Sequence, residues 1–236
     1  MTTGGVRRPY TTVGIEAQAD GHLVMLDTKP LRAPSGTRLV APTRALAEAI
    51  AEEWRAQPAR LDISRAPLTR LLGTALDRVP ANRAGVEAEL AGYAETELVC
   101  HRAEHPPALA QRQAEVWQPL LEWFARSHDA PLVVTTGVLA VAQPPASLAA
   151  IGRALAALDD FRITGVSVAV GAAGSLVIGA ALAAGRLDPQ GAFDAAELDA
   201  SFQIERWGED AESTRRRAQL RADLDLADLW LRLVAG

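Results

Sequence analysis

The sequence predicts an α+β fold, with a first part that contains a β-meander and an all-helical second part. Three observations predict it. Residues 12–41 alternate apolar and polar positions between turn signals. From Thr43 onward, apolar residues recur mainly at helical spacing. After Pro144-Pro145 the pattern is helical to the end, which places an N-terminal α+β domain at 1–142 and a C-terminal helical domain at 143–236.

Val13, Ile15 and Ala17 alternate with polar or small neighbours, as in a half-buried strand. Asp20-Gly21 is a hairpin turn signal, and His22 to Asp27 forms the return strand. Lys29-Pro30 and Pro34-Ser35-Gly36 punctuate two further short runs, Leu31 to Ala33 and Thr37 to Val40. Thr43 can then cap a helix, its hydroxyl accepting from an orphan backbone N–H. Ala47, Ile50, Ala51 and Trp54 form the buried stripe of that helix, so Trp54 reads as packing. Leu68, Leu71, Leu72, Ala75 and Val79 form the next stripe. Asn82 can cap a third helix with Val86, Leu90 and Tyr93 inward.

Leu98-Val99-Cys100 is a short apolar run suited to a buried strand. Leu109, Val116, Trp117, Leu120, Leu121 and Phe124 predict another amphipathic helix, which Pro119 should kink or restart. Leu132 to Val141, with Gly137 in its middle, reads as one or two strands. Helices are then expected over Leu148 to Leu158, Asp194 to Ile204 and Glu212 to Val234. Leu220, Leu224, Ala227, Leu231 and Val234 line the last one, widened by Trp230.

The chain has 236 residues, 49% apolar and 22% charged, which excludes general disorder. Lys29 is the single lysine among 24 cations, a bias that suggests GC-rich coding and a bacterial source. The net charge of −5 argues against a nucleic-acid binder. Arg215-Arg216-Arg217 is followed by Asp223, Asp225 and Asp228, so it reads as a solvated helix face. Cys100 is the one cysteine, which fits a reducing compartment. The start, MTTGGVRRPYTTV, has no apolar core of signal-peptide length.

Three patterns suggest chemistry and fail on context. The uncharged run Ile163 to Gly185 is long enough to span a bilayer, yet it is rich in Ala, Gly, Ser and Thr. It reads as a core helix of a bundle, without stable membrane insertion. Inside it, Gly171-Ala-Ala-Gly174 and Gly179 resemble a dinucleotide-binding turn but lack the strand before and the acid after. Small residues for close helix packing are the alternative reading. Ser167 lacks a downstream histidine to complete a triad. His101-Arg102-Ala103-Glu104-His105 matches H-x-x-E-H, but Pro106-Pro107 denies it the helix that a zinc site needs. A polar loop leaving a strand fits better. No catalytic, metal or cofactor site emerges, so none is expected.

The remaining candidate is a partner-binding patch. Phe202, Gln203, Ile204, Glu205, Arg206, Trp207, Gly208, Glu209 and Asp210 put two aromatics and many charges in one segment. Gly208 can end a helix by taking positive φ, and Trp207 then either closes the core at that terminus or anchors a partner. Tryptophan and arginine are the commonest anchors of protein interfaces.

Several segments, taken in order, resemble a known family. LDTKPLRAPSGTRLVAPTRALAEAIAEEW, from Leu26 to Trp54, is similar to the opening of the ATP-twelve family. PLTRLLGTALD from Pro67, YAETELVCHR from Tyr93 and RQAEVWQPLLEW from Arg112 look like its next blocks. Gly174-Ser175-Leu176 and QIERWGED from Gln203 complete the series in family order. Gly73 and His101 depart from the family's usual asparagine and tyrosine.

The resemblance implies an assembly chaperone of the F-type ATP synthase. Such a chaperone binds the unassembled α subunit and shields it until it pairs with the β subunit. It implies an orthogonal helical bundle as the second domain, no catalysis, and work in the bacterial cytoplasm. It also links Asp199, before the Phe202-Gln203 pair, to chaperone function. The expected partner site is therefore Asp199, Phe202, Gln203, Glu205, Trp207, Glu209 and Asp210, on a chain with no demand for more than a monomer. A metal- or dinucleotide-dependent enzyme, or a helical adaptor with another partner, are the competing classes.

Overall fold

Strands β1 (Val13–Gln18) and β2 (Gly21–Leu26) form an antiparallel hairpin in the computed structural model, which describes residues 6–136 and 141–236. Gln18 pairs with Gly21, so the tip is Ala19-Asp20 and Gly21 already belongs to the strand. Gly21 has φ 144°, and a Cβ there would lie 2.4 Å from the Ala41 carbonyl oxygen. The missing side chain is what lets a second strand approach. That neighbour is β4 (Val40–Ala41), which pairs with His22 and Leu23, while β3 (Lys29–Pro30) pairs with Met25 and Leu26. Both short strands therefore share one edge of β2, and the meander of the sequence reading is present.

Helix α1 (Arg44–Arg55) packs on this sheet, and Leu46, Ala47, Ile50, Ala51 and Trp54 are its buried face. Thr43 caps it as expected: its Oγ1 accepts from the Leu46 N–H at 3.1 Å and donates to the Leu233 carbonyl at 2.5 Å. Helix α2 (Pro67–Gly73), a π-helical turn over Thr74–Arg78 and α3 (Val79–Ala81) follow. Leu68, Leu72, Ala75 and Val79 are buried along them, as the stripe predicts. The Glu53 carboxylate accepts from the N–H groups of Leu68 (2.6 Å) and Thr69 (3.0 Å) and so caps α2 from α1. The Trp54 indole donates to Thr69 Oγ1 at 2.9 Å, which makes Trp54 a core residue.

Helix α4 (Arg83–Glu95) leads to a region that the sequence reading placed wrongly. Leu98–Cys100 is a 3₁₀ turn, and the paired residues are those after it, β5 (His101–Arg102). The turn wins because Glu97 bonds the Val99 N–H within it. Helix α5 (Pro107–His128) runs unbroken through Pro119, so no restart occurs. Strand β6 (Thr135–Thr136) pairs in parallel with β5. Of the strand expected at Leu132 to Val141, Leu132, Val133, Val134 and Val141 are not strand, since the Val133 backbone bonds the Gln143 side chain instead, and residues 137–140 lie outside the described residues.

Helix α6 (Pro145–Ala156) starts with proline at its first position, earlier than expected. The long uncharged run is two helices rather than one, α7 (Asp160–Ala173) and α8 (Leu176–Ala183). Gly174 at φ 64° ends the first, and Ser175 caps the second through the Ile178 N–H at 3.0 Å. Gly179 is a close-packing glycine, because a Cβ there would stand 2.5 Å from Val170 Cγ2. Among the described residues no helix is long and apolar enough to cross a membrane. The helix expected at Asp194 to Ile204 also divides, into α9 (Pro189–Ala196) and α10 (Leu198–Trp207), with α11 (Ala211–Ala235) last.

Contacts group the chain into two units, Met1–Arg83 with Asp160–Thr164 and Leu229–Gly236, and Ala84–Asp159 with Gly165–Asp228. The division expected from the sequence, an α+β domain at 1–142 and a helical bundle at 143–236, stands as a proposal.

Glu97 is fully buried in the second unit and accepts from Ser175 Oγ and from the N–H groups of Leu176 (2.9 Å), Val177 (3.2 Å) and Val99 (3.3 Å). Burial pushes its carboxyl up from 4.5 to about 6, against the pull of these bonds. The folded protein thus holds the proton to higher pH than the unfolded chain. Stability tied to that proton is fully present below about pH 4.5 and is lost as pH rises through about 6. Urea unfolding of the protein and its Glu97→Gln variant should therefore diverge with pH. The stability of the parent relative to the variant should fall by about 2 kcal/mol between pH ~4.5 and ~7. A difference that grows with pH would contradict this assignment.

Candidate functional site

The segment singled out in the sequence is the end of α10 and the turn into α11. Helix α10 exists because Leu198 and Phe202 recur on one face and bury it. It stops at Gly208, whose φ of 83° continues no helix. That stop leaves Trp207 at the last turn with 77% of its surface exposed, the most exposed large apolar side chain among the described residues. An indole so displayed gains nothing from the core and is available to another surface.

Charged residues flank it in the chain, and several are already engaged. Glu205 makes a fork with Arg112 of α5, at 2.7 and 3.0 Å. The Arg112 guanidinium holds the Glu205 carboxyl below its ordinary range. Phe202 is buried, and the guanidinium carbons of Arg206 and Arg112 lie 3.9 and 5.2 Å from its ring centre. Cations over a ring face are attracted by its quadrupole, so Phe202 organises the two arginines. Glu209 meets Arg217 at 3.2 Å. Asp210 caps α11, its Oδ1 accepting from the N–H groups of Glu212 (2.9 Å) and Ser213 (2.8 Å).

Asp199 lies one turn before Phe202 and is half-buried. Its Oδ1 accepts from Gln113 Nε2 at 2.8 Å, and Gln113 Oε1 accepts from the Ala103 N–H at 2.8 Å. Gln113 is buried and therefore fixes the Asp199 carboxylate against α5 and the end of β5. Beside it, Arg102 donates to the Gln113 carbonyl at 2.6 Å and stands 5.3 Å from the Trp117 ring centre. Trp117 in turn donates to the Ala195 carbonyl at 2.9 Å.

The seven predicted residues thus share one segment but differ in position. Trp207 and Gln203 are exposed, Glu205 and Glu209 are exposed and paired, and Asp199 is half-buried and oriented. Phe202 is a buried support for the patch, and Asp210 is a helix cap as well as a surface charge. Sequence reasoning missed Arg112, Gln113 and Glu197. Gln113 could have been found, since it is the polar member of the stripe Leu109, Gln113, Trp117. A polar group on a buried stripe requires a buried partner.

Arg215 and Arg216 are exposed, as the reading of a solvated face expects, and Glu197, at the junction of α9 and α10, draws Arg217 out of that face. It is buried and takes a two-bond fork from Arg216 (2.7 and 2.7 Å) and a further bond from Arg217 (2.8 Å). The Arg217 side chain is 17% exposed, against 54% for Arg216. His101 and Arg102 form β5, and Glu104 and His105 follow in a loop ahead of Pro106. Among the described residues no three His, Cys, Asp or Glu side chains gather to hold a metal.

Residues 7–125 match the model of a family described as ATP12 chaperone protein. The chain is 25% identical over 214 residues to the mitochondrial protein atp12 of Schizosaccharomyces pombe, covering 86% of this chain and 74% of that one. It is similar to the crystal structure of Atp12 from Paracoccus denitrificans, with 39% identity, a TM-score of 0.93, and 97% and 98% of the two chains covered. An aspartate-to-lysine mutant of P. denitrificans Atp12p matches with 38% identity, the same TM-score of 0.93 and the same coverage of 97% and 98%.

The clamp on Glu197 permits a quantitative check. Glu197→Gln leaves the largely buried Arg217 only Glu209 as its counter-charge and should lower unfolding stability by about 2 kcal/mol. Arg216→Gln removes a half-exposed partner and should cost under about 1 kcal/mol. Equal losses in urea titrations of the two variants would show that burial does not set the energetics of this cluster.

Proposed function

Because the chain belongs to the ATP12 chaperone protein family, we propose that it assists assembly of the F-type ATP synthase by holding its unassembled α subunit. It shields the surface that the α subunit later gives to the β subunit. The observation that carries this reading is Trp207, a large apolar side chain left in solvent in a segment rich in charged residues. The pairing of Glu205 with Arg112 and Glu209 with Arg217 supports it. Charges already neutralised locally define the orientation of a partner without adding strong attraction, so the complex can dissociate. The partner site comprises Asp199, Phe202, Gln203, Glu205, Trp207, Glu209 and Asp210, with Phe202 acting from beneath. The protein acts as a monomer in the bacterial cytoplasm, and no catalytic step is part of its action.

Capture of purified α subunit tests this directly. Trp207→Ala should weaken capture roughly 30-fold, the effect of removing one interface anchor. Its thermal unfolding should not change, because the side chain makes few internal contacts. Asp199→Lys should also weaken capture, through both its charge and the loss of the Gln113 bond. Unchanged affinity in both folded variants would remove the site from this segment.

A further inference from the structure

The first unit carries a concavity of about 690 Å³ between the loop after β3 and helix α2. Its wall includes the indole of Trp54, and Ile63 stands at its edge 48% exposed. Three arginines line it, Arg32, Arg70 and Arg78, and all three are exposed. None of them is in an ion pair with a carboxylate within 4 Å among the described residues. Three cationic groups on one concave surface are unexpected in a chain of net charge −5.

Asp77 also lines the cavity, so the lining carries three cations against one carboxylate, and Glu53 is turned to helix α2. Asp77 accepts from the Ser35 hydroxyl at 2.5 Å, and bonds from Ser35 and Thr37 hold it below its ordinary range. Glu53, whose charge Arg70 feels, caps α2. The cavity therefore offers positive charge that nothing within the unit neutralises at contact distance.

The loop also argues for one kind of ligand. A phosphate cradle presents free backbone N–H groups. Here the Ala33 N–H donates to Thr37, the Gly36 N–H to Ala33 and the Thr37 N–H to Ser35 Oγ. Recognition falls instead to separate guanidinium forks, which match carboxylates spread along a chain. The apolar edge at Ile63 and the wall at Trp54 would take an uncharged side chain between them.

We propose that this cavity binds an acidic peptide segment of the protein's partner, with carboxylates on Arg32, Arg70 and Arg78 and an apolar side chain against Trp54 and Ile63. The inference rests on the reading of the chain as a chaperone that holds another polypeptide. It adds a second contact area, separate in sequence from the Trp207 segment.

Fluorescence anisotropy with a labelled peptide of alternating Leu and Glu tests it, beside a matched peptide of alternating Leu and Gln. The wild-type protein should bind the Leu-Glu peptide, and added salt should weaken that binding. The R32Q/R70Q/R78Q variant should bind at least about tenfold less tightly, with unchanged thermal unfolding, as expected for loss of charge-assisted contacts. Equal binding of the two peptides, or equal binding by the variant, overturns the proposal. Displacement of the peptide by inorganic phosphate at equal concentration overturns the peptide assignment in favour of a small oxyanion. Capture of the α subunit is read separately. If the wild-type protein fails to capture it yet binds the Leu-Glu peptide through the arginines, the assembly reading fails and the cavity assignment stands.

Discussion

Helix α8 is apolar all round, with Leu176, Val177, Ile178, Ala181 and Leu182 buried. Such a helix cannot rely on water for its orphan N–H groups. Glu97 solves this from the loop after α4, together with Ser175, by accepting from the first N–H groups of α8. A carboxylate here also meets the positive end of the helix dipole, which offsets part of the penalty of burying a charge. Because α5 and α9 both pack on α8, the position of its first turn sets theirs. The apolar centre of the second unit therefore depends on one polar contact.

From that centre the positioning passes outward in discrete steps. Trp117 of α5 bonds the Ala195 carbonyl at the end of α9. Two residues later Glu197 receives Arg216 and Arg217, which ties α11 to the start of α10. Gln113 then holds Asp199, and Arg112 holds Glu205, along the length of α10. By the last turn the helix is fixed on two sides, and Gly208 ends it. Trp207 is thus displayed by a rigid element, so its ordering costs little entropy when a partner arrives.

Features governed by local chemistry were legible in the sequence. Thr43 capped α1, Gly208 ended α10, the stripe of α1 pointed inward, and in α11 Leu224, Ala227 and Trp230 are buried while Leu220, Leu231 and Val234 are half-buried. Trp207 was identifiable because aromatic residues beside a helix-ending glycine have little core to enter. Features governed by distant partners were not. Leu98-Val99-Cys100 reads as a strand until Glu97 is seen to bond its backbone. Ile163 to Gly185 reads as one helix because Gly174-Ser175 is a small break in an apolar run, decisive only when Glu97 caps the start of α8. Arg217 reads as solvated because its partner, Glu197, lies about one helix away in sequence.

Charge in this protein acts mainly through arginine. With one lysine, every strong cation but Lys29 is a planar fork. A guanidinium can close on a carboxylate with two parallel bonds, as Arg216 does on Glu197 and Arg112 on Glu205. Once closed, such a pair presents little net field, and shape and apolar surface are left for recognition. Near Trp207 in the chain, Glu205 and Glu209 are closed onto Arg112 and Arg217 and Arg206 lies over Phe202, so the indole dominates. Around Trp54 the three forks have no carboxylate at contact distance, so the field of the cavity dominates. The same residue type thus yields two kinds of surface, and the difference lies in whether the fold supplies the acid or leaves it to a partner.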